Sequence, residues 1–129
     1  VFSNLDFIMG YLYIFLTIVL TAYGQIILKW RLNLKGSMPE GFLAKLNYFW
    51  QVFWDFWVIS SFASAFLASF TWIAALTKFD LSFAYPFTSI AFILVLFLSY
   101  YFFAEPLSWQ KIAGTFLIVA GIILLAQSK

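Results

Sequence analysis

Apolar residues run almost unbroken through four stretches of the chain, 7–28, 54–77, 83–103 and 110–127, with short polar breaks between them. A helix rises about 1.5 Å per residue and a bilayer core is about 30 Å thick, so roughly 20 apolar residues cross it. The pattern predicts an all-α membrane protein, one unit of four transmembrane helices. The first run is too long for the apolar core of a signal peptide and lacks a clear small-residue cleavage site, so it reads as a true span.

Polar positions inside the spans are few and ordered. In the first span Tyr13, Thr17, Thr21, Gln25 and Lys29 recur every four residues, on one slowly drifting helix face. Lipid offers hydroxyls and amides no partner, so this face points to protein or to a wet cavity. Two readings stand: helix packing with hydroxyls bonded back to the backbone, or a substrate face. Lys29 taken alone reads as a snorkelling end anchor.

The second span carries two small-residue series, Ser60–Ser64–Ala68 and Ser61–Ala65–Ser69, either of which would let helices approach closely. Asp55 stands at its start, where a carboxylate suits the positive helix end. Tyr85 and Ser89, four apart, could share a cavity face in the third span. Pro86 falls in its first turn, and would kink the helix if the helix began earlier. Glu105-Pro106 is a natural stop, and Ser108 can cap the fourth span. There Gly114 and Gly121 are seven apart, as are Ala113 and Ala120, which reads as a dimer seam or as internal packing.

The longest connection, 29–53, holds Lys29, Arg31, Lys35 and Lys45, then an aromatic cluster. An interfacial helix over about 41–50 is expected there. Trp50, Trp54 and Trp57 share a face and suit the headgroup region. The first and third loops together carry most of the cations, which places them in the cytoplasm and both termini outside.

Composition narrows the chemistry. The chain is 65% hydrophobic and 9% charged, with no cysteine and no histidine. Thiolate catalysis, imidazole ligands and the usual general base are therefore excluded. The five carboxylates, Asp6, Glu40, Asp55, Asp80 and Glu105, all lie near helix ends. No catalytic residue, metal site or cofactor is expected, and no P-loop is present. A net charge of +2 does not suggest nucleic acid.

Three stretches together carry a resemblance that covers almost the whole chain: Ala22-Tyr23-Gly24-Gln25 with Lys29, Leu81-Ser82-Phe83-Ala84-Tyr85-Pro86 with Ser89, and Glu105-Pro106-Leu107-Ser108 with Gly114 and Gly121. In order and spacing they resemble the EamA-like drug/metabolite transporter superfamily in its short four-helix form. One branch, the small multidrug resistance proteins, uses a helix-1 glutamate three residues before a glycine. Counting back from Gly24, that position is Thr21 here, which cannot exchange protons near neutral pH. The chain more closely resembles the other branch, the small subunits of aminoarabinose–undecaprenyl-phosphate flippases.

That resemblance implies movement of a polyprenyl-phosphate glycolipid across the bacterial inner membrane. It implies a homodimer, or a heterodimer with a similar four-helix subunit, for which the Gly114 and Gly121 spacing offers a seam. On this reading Thr17, Thr21, Gln25, Tyr85 and Ser89 would bind the sugar, and Lys29 and Arg31 the phosphate. Two rivals remain: an exporter of small amphipathic or cationic compounds, and a non-transporting accessory subunit of a glycosyltransferase.

Overall fold

The computed structural model describes residues 4–128. Helix α1 (Asn4–Lys35) starts with Asp6 in its first turn and ends with Lys35 in its last, both favourable to the helix dipole. It runs seven residues past the expected apolar run because nothing in 29–35 breaks a helix. Gly36 does, at φ +82, and its N–H closes on the Leu32 carbonyl at 3.2 Å. Helix α2 (Phe42–Phe53) follows Gly41 and covers the expected interfacial segment. Twelve residues rise only about 18 Å, too short to cross a bilayer.

Asp55 starts helix α3 (Phe56–Leu76). Its Oδ1 accepts from the amides of Trp57 (2.9 Å) and Val58 (3.4 Å). The third span begins earlier than its apolar run, with α4 (Leu81–Ala84). A 3₁₀ turn over Tyr85–Thr88 holds Pro86, and α5 (Ser89–Phe103) completes the span. Pro86 thus interrupts the helix, the second of the two outcomes its position allows, because it cannot donate to an α-helical carbonyl. Helix α6 (Trp109–Ala126) is capped by Ser108, whose Oγ accepts from the Lys111 amide at 3.2 Å.

α5 closes on Ala104, which adopts a left-handed conformation (φ 53) while its N–H reaches the Ser99 carbonyl. A Cβ is costly there, so Ala104→Gly should raise stability by about 1 kcal/mol in a thermal melt in detergent.

The spans alternate in direction, and α3 lies along α1 like one rail along another. The contacts, from one end to the other, pair Arg31 with Asp55, Tyr23 with Ser60, Leu20 with Ser64, Thr17 with Thr71 and Asp6 with Lys78. The buried residues of α3 are Val58, Ser61, Ser64, Ala68 and Ala75. Neither four-residue series survives whole; the face mixes steps of three and four, because a face that follows 3.6 residues per turn must. Ile14 and Ile18 of α1 meet Ala75, Ala84 and Ala91 to form the core, flanked by Leu94. α6 has no buried residue.

Candidate functional site

The titratable groups collect at the two ends of α1. Asp6 and Arg31 are 25 positions apart, about 38 Å of helix rise, so the clusters sit outside a hydrocarbon core of about 30 Å on opposite sides. At one end Arg31 donates to Oδ2 of Asp55 through Nε (3.1 Å) and a terminal nitrogen (2.9 Å), and Lys35 Nζ lies 3.2 Å from the same oxygen. The Asp55 side chain is only 6% exposed. Burial pushes its pKa up, but bonds from Arg31, Lys35 and the two amides outweigh that and hold it at about 2. The Arg31 guanidinium also lies over the Trp30 ring, 4.9 Å from its centroid.

Lys29 and Arg31, the expected phosphate pair, do not converge. Residues two apart on a helix point away from each other. Lys29 is exposed beside Asn33 and Ser37 in a shallow hollow of about 340 Å³, while Arg31 turns toward α3. The partner that Arg31 does gain on α1 is Lys35, one turn on. A helix read through to Gly36 would have revealed it.

The polar stripe divides along its length. Thr17 is buried against α3, donating to the Tyr13 carbonyl (2.8 Å) and hydrogen-bonding the Thr71 hydroxyl (2.6 Å). Helix packing accounts for it. Thr21 is half-buried and Gln25 exposed. Tyr85 and Ser89 do not stand opposite Gln25. Tyr85 packs edge-on against Trp72 (6.0 Å), and its neighbour Phe87 against Tyr11 (6.2 Å), in the Asp6 half of the bundle. Gln25 lies beside Tyr23 and Gly24, which meet Ser60 and Ser61 in the other half. About 18 Å of helix rise separates Tyr13 from Gln25. Polar groups therefore stand at successive depths instead of in one cluster.

Between α1 and α5 an apolar groove of about 470 Å³ runs along Ile14, Ile18, Ile90 and Leu94. A second hollow of about 420 Å³ lies at the Asp6 end, among Tyr11, Lys78, Phe79, Asp80 and Ser82. Gly10 makes this wall possible: a Cβ there would stand 2.6 Å from the Phe79 ring. Among the described residues no group of three metal-ligating side chains forms. Gly114 and Gly121 face open space, with nothing within 4 Å of a Cβ built on either.

Comparison with known proteins places the chain in a family. The chain is 30% identical over 117 residues to the protein named probable 4-amino-4-deoxy-L-arabinose-phosphoundecaprenol flippase subunit ArnE of Pseudomonas aeruginosa, covering 87% of this chain and 92% of that one. The chain belongs to this flippase-subunit family. The ArnF subunit of Shewanella sediminis is 28% identical over 142 aligned positions, covering 95% of this chain and 90% of that protein. The ArnE subunit of Aeromonas hydrophila is 38% identical over 76 residues, covering 59% and 67%. No family profile and no solved structure matches the chain. As a flippase-subunit family member with four helices apolar and long enough to span, it is a multi-pass membrane protein.

Proposed function

We propose that the chain is one subunit of a flippase that moves 4-amino-4-deoxy-L-arabinose-phosphoundecaprenol across the bacterial inner membrane. The observation that carries this is the end-to-end likeness to proteins named as such subunits. The geometry suits the task. The polyprenyl tail stays in lipid along the apolar groove between α1 and α5. The headgroup, which hydrocarbon would exclude, steps past polar side chains at successive depths: Lys29, Gln25 and Thr21, then Ser89 and Tyr85. The end bearing Arg31, Lys35, Lys45 and Lys111 faces the cytoplasm by its excess of cations. Movement of this kind makes and breaks no covalent bond. The test is passage of this lipid across proteoliposomes holding the chain with its copurifying partner. Wild-type rates after Gln25→Ala and Lys29→Ala together would overturn the placement of the path. No movement with any partner, while a glycosyltransferase loses activity without the chain, would make it an accessory subunit.

The partner meets α6. No residue of that helix is buried, yet its glycines form a flat strip that a second helix can approach closely. Gly114→Leu with Gly121→Leu should leave the subunit folded, since no neighbour stands within 4 Å. The double variant should run as a monomer in size-exclusion light scattering where the wild type runs as a dimer.

A further inference from the structure

The hollow at the Asp6 end combines features that the path described above does not use. Lys78 and Asp80, two residues apart and opposite in charge, both line it, as does Ser82. Its walls are aromatic: Tyr11 and Phe79 rings lie 5.0 Å apart, and Phe79 and Phe83 rings 5.1 Å apart. Lys78 holds Asp6 at 3.2 Å but has three protons to donate, so it can keep that bond and give another. Asp80 sits where a helix cap would, yet its side chain makes no cap bond, and no hydrogen bond or ion pair among the described residues engages it. Asp80 is exposed, so an ammonium group can reach its carboxylate beside ring faces that attract cations. A lysine ammonium in the same hollow is a receptor for phosphate.

We propose that this hollow is a headgroup site for a phospholipid or glycolipid whose phosphate carries a nearby primary ammonium. Asp80 takes the ammonium, Lys78 the phosphate, and the ring faces the body between them. At about 420 Å³ the hollow holds a pentose with its phosphate. Two lipids offer this chemistry: the amino-sugar polyprenyl phosphate and phosphatidylethanolamine. The first source rests on the flippase reading; the site itself does not. As the far end from the Arg31 cluster, it would receive the headgroup after crossing and read its amine there.

The test uses the chain with its copurifying partner in phosphatidylglycerol nanodiscs, with bound lipid measured by native mass spectrometry. Undecaprenyl phosphate bearing 4-amino-4-deoxy-L-arabinose is compared with the same lipid bearing arabinose, and phosphatidylethanolamine with phosphatidylglycerol. Wild type should prefer the amino sugar about tenfold, the size of one charge-assisted hydrogen bond. Asp80→Asn should abolish that preference without weakening binding of the arabinose lipid, which has the phosphate but no amine, while Asp80→Glu keeps it. An ethanolamine preference lost in Asp80→Asn, with no amino-sugar preference, supports the site and assigns it to bulk lipid. An amine preference that survives Asp80→Asn overturns the site while leaving the flippase reading intact. Absence of any amine preference in wild type overturns it too. Failure of both polyprenyl phosphates to bind defeats the flippase reading on its own. Since Asp80 caps nothing, the variants should melt with wild type.

Discussion

Asp55→Ala should lower stability by about 2–4 kcal/mol, seen as an earlier loss of helical signal on heating in detergent. Two effects add. The amides of Trp57 and Val58 lose their cap, worth about 1 kcal/mol. Arg31 and Lys35 lose the carboxylate that neutralises them both, and a half-buried cation left alone costs more than the cap. Water reaches both cations, which keeps the total below that of a fully buried pair. Asp55→Asn separates the two, since asparagine still caps but carries no charge. It should fall between alanine and wild type. The same pairing predicts the acid response. With the folded pKa near 2 and an ordinary value of 3.8, the stabilisation is fully present above about pH 4. It is lost as pH falls from there through 2. Asp55→Asn should lose that acid-sensitive component, checked by melting from pH 6 to pH 2.

Gly24→Leu should cost about 3 kcal/mol and abolish transport, whereas Gly24→Ala should stay within about 1 kcal/mol of wild type. A Cβ at Gly24 would lie 3.1 Å from the Ser61 carbonyl oxygen on α3. That oxygen belongs to a helix backbone and cannot turn aside. Alanine is tight there but gains about 1 kcal/mol of helix propensity over glycine, which offsets the crowding. Leucine gains no more propensity and must push the two rails apart, breaking the Ser64 bond to the Leu20 carbonyl (2.6 Å) nearby. Melting temperature and crosslinking of Tyr23 to Ser60, each replaced by cysteine, would report the separation.

Much of this could be read from residue order. Hydropathy marks all four spans, and Asp55 and Ser108 stand where caps are needed and are caps. Gly24 could be picked out as part of a family pattern, but its use could not, because the pattern does not say which backbone comes close. The limits share one cause. Periodicity tells which residues share a face of one helix, not which residues of two helices share a depth. Hence Thr17 proves to be packed on Thr71, and Tyr85 lies in the other half of the bundle from Gln25. Lys78 and Asp80 look like an unremarkable charged link until the fold brings Tyr11 and Phe7 to their side. Hydropathy leaves Lys35 among the first-loop cations; only the helix's run to its stop at Gly36 places it one turn beyond Arg31, against Asp55.

The spans are unequal in length. α1 has 32 residues and α6 has 18, about 48 Å and 27 Å of rise. α1 is pinned near both ends, by Asp6 to Lys78 and by Arg31 to Asp55, while α6 is held by little inside the subunit. Lengthening the acyl chains of the host bilayer would therefore leave the α1–α3 pair in place and strand α6 short of the headgroups. The cost is a fraction of a kcal/mol per Å of mismatch, relieved by changing the tilt of the loosely held helix. If the partner meets α6 as proposed, acyl-chain length becomes a control on how firmly two subunits join, independent of any headgroup.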